Sequence, residues 1–273
     1  MKIVSFNANS VRVRLHQLRA IAEKHDPEII GLQETKVSDE DFPQEDVQML
    51  GYTTEAFGQK NHYGVALLCK ARPLRVMRGL PRDGEDAQRR FIDSIYSLPN
   101  GEQLRVISAY FPQGESRDHA VKFPAKEKFF ADVLGYLQST ATPEEHLVLM
   151  GDFNVAPIDR DIGIGEDNVR RWLRSGKTSF LPEERAWLQR LFDWGLVDTY
   201  RHVNPEVEEQ CFSWFDYRSR GFERDPKRGL RIDHILVSRS LVARVVDAGV
   251  DYDIRAMPKP SDHCPVWVEL RED

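Results

Sequence analysis

The sequence predicts an α/β protein in which many short strands pair into two packed sheets covered on their outer sides by helices. Three observations predict it. Short apolar runs rich in β-branched residues recur along the whole chain. Helical patterns separate only some of these runs, without the strict βα alternation of a doubly wound sheet. No repeat, low-complexity segment or Gly/Ser linker interrupts them, so residues 1–273 read as one domain.

Taken in order, "KIVSF" is the first strand run, and "RLHQLRAIAEKH" after it has helical periodicity. "EIIGLQ", "YGVALLC", "RFIDSIYSL" and "LRVISAYF" are four further strand runs. "FPAKEKFFADVLGYL" reads as a helix with Pro124 suited to its first turn, and "HLVLMG" as the strand that follows. "LPEERAWLQRLFDWGL" opens on Pro182 and two acids, which complement the helix dipole, and closes at Gly195. "CFSWF", "RIDHILVS" and "CPVWVEL" complete the strand runs.

Composition narrows the class. With 41% hydrophobic and 30% charged residues the chain is an ordinary globular protein and not a disordered one. A net charge of −6 argues against a uniformly basic coat while allowing a local basic groove. Cys69, Cys211 and Cys264 lie far apart with no CxxC pair, which speaks against a disulfide framework or a structural zinc and fits a reducing cytoplasm. No apolar stretch reaches the length of a membrane span, so no membrane partner is expected.

The strand runs end on a common theme. They lead into Asn7, Glu34, Tyr110, the pair Asp152 and Asn154, Asp233, and Asp262 with His263. Each alone has an ordinary explanation as a turn residue, a cap or a core group with a wet tip. In "LMGDFN", Asp152 and Asn154 share one face if the strand continues, since i and i+2 point the same way. Together the residue types suit narrow chemistry. Glu34, Asp152, Asp262, Asn7 and Asn154 are hard oxygen ligands, appropriate to Mg²⁺ or Mn²⁺. The chain has no GxSxG elbow, P-loop or GxGxxG. Carboxylates, a metal, a tyrosine and an Asp–His couple suit metal-assisted hydrolysis of a phosphate ester by water.

The segments "SFNAN", "GLQETK", "AQRRF", "YFPQGESRDH", "KFPAK", "GDFN", "DIGIGEDNVRRWLRSGK", "SFLPEER", "FSWFDYRSRGF", "GLRIDHIL" and "KPSDHCPVW" carry a resemblance over essentially the whole chain. In them the chain resembles the exonuclease III family of bacterial DNA-repair nucleases, within the endonuclease/exonuclease/phosphatase superfamily. The resemblance implies a four-layer α/β/β/α sandwich, two packed mixed sheets flanked by helices, with a metal site at one end of the sheets. It implies Glu34 as principal metal ligand, with Asn7, Asp262, Asp152, Asn154 and His263 around the ion. Asp152 would activate the attacking water and Asn154 hold it or a phosphate oxygen. His263, aligned by Asp233, would donate to a phosphate oxygen, and Tyr110 would stabilise the departing 3′-oxygen. Arg90, Gln113 and Lys122 match polar positions that line the phosphate site. The family's first motif usually reads Asn-x-Asn-Gly, whereas this chain has "NANS", placing Ser10 where glycine favours an unusual backbone angle.

Two basic segments fit a duplex. "NVRRWLRSGK" holds Arg170, Arg171, Arg174 and Lys177, of which the three arginines lie too close in sequence all to share one helical face. "RSRGFERDPKRGLR" places six basic residues beside the aromatics Trp214 and Phe215. The resemblance makes the partner double-stranded DNA with 3′ ends or abasic sites, bound by a monomer. It implies three activities: 3′–5′ exonuclease, incision at abasic sites and 3′-phosphatase. The alternatives are a superfamily phosphatase acting on another ester or on RNA, and an inactive nucleic-acid-binding regulator. Retention of Glu34, Asp152, Asn154, Asp233, Asp262 and His263 weighs against the latter.

Overall fold

A computed structural model describes residues 1–205 and 211–272. In chain order the strands are β1 (Lys2–Asn7), β2 (Ile29–Gln33), β3 (Thr53–Phe57), β4 (Val65–Cys69), β5 (Arg75–Arg78) and β6 (Phe91–Ser97). The chain continues with β7 (Gln103–Tyr110), β8 (Leu147–Asp152), β9 (Leu196–Asp198), β10 (Asp233–Ser238), β11 (Val245–Val250) and β12 (Val266–Leu270). The helices are α1 (Leu15–His25), α2 (Gln44–Met49), α3 (Lys122–Thr140), α4 (Glu166–Ser175) and α5 (Pro182–Trp194), with short α6 (Thr199–Val203), α7 (Arg239–Val242) and α8 (Tyr252–Arg255).

Two six-stranded sheets form, in the orders β11-β12-β1-β2-β4-β3 and β5-β6-β7-β8-β10-β9. Both are mixed: β1–β2 and β7–β8 run parallel, and the other pairs antiparallel. Both faces of the central strands are buried, which is why they read as continuous apolar runs. Successive side chains alternate between two cores. In β8, Val148 and Met150 join the core between the sheets, while Leu147 and Leu149 face α3 and α5. In β1, Ile3 points between the sheets and Val4 and Phe6 pack under α1. The layers are therefore α/β/β/α, as the resemblance implies.

Eight of the nine predicted strand runs are strands. "CFSWF" is not: Trp214 makes only isolated bridges to Leu230 and His263. Phe212 and Phe215, three apart, both turn into a local aromatic cluster with Phe222, a spacing a strand cannot serve on one face. Four strands escape the sequence reading: β3, β5, β9 and β11, each an edge of its sheet. Among the described residues, no helix is long and apolar enough to cross a membrane.

The interior between the sheets changes character along the strands. The inward row of β1 runs Ile3, Ser5, Asn7; that of β7 runs Val106, Ser108, Tyr110; that of β8 runs Val148, Met150, Asp152. Gln33 Nε2 bridges the sheets at mid-level, donating to Ser5 Oγ (3.2 Å) and Ser108 Oγ (3.0 Å). Oil at one end thus passes into polar groups at the other. Gly151 makes the turn of β8 into the polar end possible: its φ is 147°, and a Cβ there would lie 1.8 Å from Ala109 O. Gly151→Ala should therefore cost about 1–3 kcal/mol in urea unfolding, the usual range for overpacking. An unchanged midpoint would show that β7 and β8 are not held this close.

Candidate active site

The site forms where the parallel pairs β1–β2 and β7–β8 end side by side. Register places Tyr110 opposite Asp152, and Asp152 opposite Asp233, so three adjacent strands present polar groups at one level. From the facing sheet comes Asn7, the last residue of β1. Its Nδ2 donates to Glu34 Oε1 (3.0 Å) and to Asp152 Oδ2 (2.9 Å), tying the sheets together. Its Oδ1 accepts from Asn9 N at 3.0 Å, so the amide nitrogen is the end that faces the carboxylates.

Glu34 follows β2 with φ 49°, and the loop after β1 hydrogen-bonds to its backbone through Ser10 N (2.8 Å). Ser10 keeps the unusual angle that its position calls for: its φ is 85°. Serine thus accepts the backbone that glycine would take freely, and the loop stays anchored on Glu34.

Asp152 and Asn154 meet by a turn and not by strand continuation. β8 stops at Asp152, Asn154 has φ 53°, and its backbone N donates to Asp152 Oδ1 at 2.9 Å. Asn154 Nδ2 donates to Phe111 O at 3.0 Å. The turn reading of "GDFN" holds and strand continuation does not: an Asx-type turn orients the carboxylate. His263 lies between two acids, with Nδ1 2.9 Å from Asp233 Oδ2 and Nε2 3.8 Å from Asp152 Oδ2. Asp262 accepts from Asn9 Nδ2 (2.8 Å) and from the Trp214 indole (3.1 Å). Trp214 is thus a support for Asp262 as well as a surface aromatic.

Electrostatics mark the site. Burial, then the charge of Asp233, pushes Asp152 up to about 8, with Glu34 adding to the effect. Burial alone would lower His263, but the carboxylates of Asp233 and Asp152 outweigh it and raise it to about 10. Glu34 is lowered: burial opposes its charge, yet the Lys36 ammonium, 2.9 Å from Oε2, prevails. Burial, with the charges of Glu34 and Asp152, holds the Tyr110 hydroxyl well above its ordinary value, so it keeps its proton. One ligand atom each from Glu34, Asp152 and His263 can lie within 4.8 Å of one another. Crowded buried carboxylates with an adjacent imidazole fit a divalent cation, whose charge would relieve the repulsion that raises Asp152.

The other predicted residues divide. Arg90 is buried between Tyr63 and Tyr110, its guanidinium 4.3 and 4.5 Å from their ring centres, beside the site. Gln113 is exposed, with Nε2 on Thr178 Oγ1 at 2.9 Å. Lys122 is exposed and paired with Glu115. On α4, Arg170 is engaged with Glu166 and Asp167, and Arg174 is exposed. Arg171 and Lys177 instead line a cleft of about 180 Å³ with Trp172, Trp214, Arg224 and Arg228. This cleft joins the two basic segments. Phe215 requires correction: it is 0% exposed, packed against Phe212, Phe222 and Tyr252, and has no surface to offer DNA. Sequence reasoning missed Lys36 as a partner of Glu34 and Asn9, although it stands two residues after Glu34. It gave no role to Asn9, whose partner Asp262 lies 253 residues away.

Mixed double sheets whose adjoining ends carry this acidic cluster define a class of phosphoesterases. The chain belongs to the endonuclease/exonuclease/phosphatase family, whose profile matches residues 4–263. Within it the chain is 57% identical to exodeoxyribonuclease III of Haemophilus influenzae, over 99% of this chain and 100% of that one. A Neisseria 3′ phosphatase solved with a product DNA hairpin superposes with a TM-score of 0.88 at 38% identity, covering 100% of both chains. An AP endonuclease from Archaeoglobus fulgidus does so with 0.89 at 31% identity, again over 100% of both.

Because His263 is raised from 6.5 to about 10, the pairing stabilises the fold fully below pH 6.5 and is lost as pH rises through about 10. In metal-free protein, NMR titration of the His263 ring should give a midpoint near 10, and Asp233→Asn should move it back toward 6.5. A midpoint that ignores this substitution would dissolve the couple.

Proposed function

We propose that the chain is a DNA-repair phosphodiesterase that uses Mg²⁺, with Mn²⁺ as substitute. It removes nucleotides from 3′ ends of double-stranded DNA, incises 5′ to abasic sites and removes 3′-phosphates. The observation that carries this reading is the meeting of Glu34, Asp152 and His263 near a cleft walled by arginines, a lysine and two tryptophans. The named activities of the Haemophilus, Neisseria and Archaeoglobus proteins support the substrate class. A small phosphate ester would not need a second, arginine-lined cleft beside the acidic site.

The residues then take these roles. Glu34 would be the principal ligand of the cation, with Asp152 beside it and Asp262 close by, while His263, protonated, stays outside the ligand set as a donor; Asn7 steadies both carboxylates through its amide nitrogen. Bound there, a divalent ion supplies Lewis-acid stabilisation of charge on phosphoryl oxygens. Asp152, with Oδ1 fixed by Asn154 N, presents its other oxygen to accept the proton of the attacking water. Asn154 would hold that water or a phosphate oxygen. Asp233 keeps His263 protonated, so that Nε2 donates to a phosphate oxygen as the P–O3′ bond breaks. Tyr110, still protonated, donates toward the departing 3′-oxygen. Arg90, Gln113 and Lys122 flank the phosphate, while Arg171, Arg174, Lys177 and Trp214 hold the duplex, with Arg170 tied to its own helix. Such contacts set register without reading sequence. The protein acts in this reading as a monomer in the cytoplasm, and the free thiols Cys69, Cys211 and Cys264 suit a reducing compartment.

The test is a labelled duplex with one abasic site, incubated with Mg²⁺ and with chelator, and its products mapped. Cleavage 5′ to the site should require the metal, and Asp152→Asn should slow it by about 10²- to 10⁴-fold while the duplex still binds. Joint Arg171→Ala and Lys177→Ala should weaken binding and flatten its salt dependence by up to about 0.9 log units for each phosphate no longer neutralised. Full turnover in chelator, or an active Asp152→Asn, rejects the reading.

A further inference from the structure

Two segments singled out in the sequence, "KFPAK" and "SFLPEER", meet in the interior. The second lysine of the first, Lys126, projects from α3, and the second glutamate of the other, Glu184, from the first turn of α5. They form an ion pair in which both side chains are 0% exposed.

The pair sits at a junction of loops. Besides Glu184 Oε1, Lys126 Nζ donates to Asn154 O (2.9 Å) and to Gln113 O (3.3 Å). The other oxygen of Glu184 accepts from Ser179 N and Leu181 N, both at 2.8 Å. One ammonium and one carboxylate therefore hold three segments: the turn after β8 that carries Asn154, the loop after β7 that carries Gln113, and the 176–181 loop between α4 and α5. Two further bonds run between them, Ala156 N to Ser179 O (2.7 Å) and Gln113 Nε2 to Thr178 Oγ1 (2.9 Å). Asn154 and Ser179 both have positive φ, 53° and 106°. Such conformations in non-glycine residues persist only where the surroundings over-determine them.

Stability is a poor reason for this arrangement. A buried ion pair loses much of its attraction to desolvation, and an apolar pair of equal volume often serves as well. Directed donors and acceptors are what an apolar pair cannot supply. We propose that Lys126 and Glu184 are positioning residues for the reaction: they fix Asn154 from behind, in register with the phosphate loop at Gln113 and with the loop that bears Lys177. The inference rests on the proposed role of Asn154 in the site. It assigns neither residue contact with substrate.

A double-mutant cycle tests it. The pair is replaced by Lys126→Met with Glu184→Gln, which leaves no lone buried charge and keeps an oxygen for the Ser179 and Leu181 amides. Single-turnover incision of the abasic duplex is measured for this variant, for Asn154→Ala and for the combination, with circular dichroism and melting confirming the fold. The paired change should slow incision by about tenfold to a hundredfold in the wild-type background. In the Asn154→Ala background it should slow incision little further, because residues acting through one group are non-additive. An unchanged rate, or an equal loss in both backgrounds, overturns the proposal and leaves a merely structural pair. If Asn154→Ala alone keeps the wild-type rate, the assigned role of Asn154 fails, and the positioning role with it. Should that replacement not fold, Lys126→Leu with Glu184→Gln, which also leaves no lone buried charge, is read by the same cycle.

Discussion

The site depends on the period-two alternation of strands buried on both faces. β1, β7 and β8 each send every second side chain into the space between the sheets, and that space has no room for variation in register. Met150 fills the gap left by Gly31, where a Cβ would come within 2.5 Å of its methyl carbon. With Val148 and Met150 set inward, Asp152 must follow inward, and with Ile3 and Ser5 so must Asn7. The apolar core therefore aims the polar site. A one-residue slip in β8 would send Asp152 into the layer under α3 and α5, where Phe153 now packs.

Convergence has an electrostatic cost, and the neighbouring groups answer it unequally. Glu34 has a lysine and an amide to hold its charge; Asp262 has an indole, an amide and the His263 charge. Asp152 is buried beside Asp233 and Glu34 and has less compensation, so its proton is held more tightly than that of an ordinary carboxylate. A site in which Asp152 is raised while Glu34 and Asp262 are lowered is arranged to take up either a proton or a cation at Asp152. His263 stays charged because Asp233 is its partner, which separates the donor of the site from its acceptor.

The sequence was most informative where burial was greatest. Central strands carried long apolar runs and were legible, whereas β3, β5, β9 and β11 are sheet edges with partly exposed side chains and weaker patterns. The polar ends of the strands pointed to Asn7, Glu34, Tyr110, Asp152 and Asp233, because a charged group at the end of a buried run is conspicuous. Their grouping, and the four-layer order, rested on the family resemblance. Long-range supports such as Asn9 to Asp262 and Lys126 to Asn154 left no local mark, since each side chain is ordinary in its own segment. Phe215 misled for the opposite reason: an aromatic beside a basic run reads as a surface feature, yet its ring belongs to a separate aromatic cluster.

The central claim is that the inward rows of the two sheets end in a carboxylate site for a divalent cation. Mn²⁺ binding, followed by its electron paramagnetic resonance signal in DNA-free protein, tests it most directly. The wild type should bind Mn²⁺ at one end of the sandwich, and Glu34→Gln should weaken that binding by at least about tenfold while the fold is kept. Mn²⁺ affinity that is equal in wild type and Glu34→Gln would contradict the account.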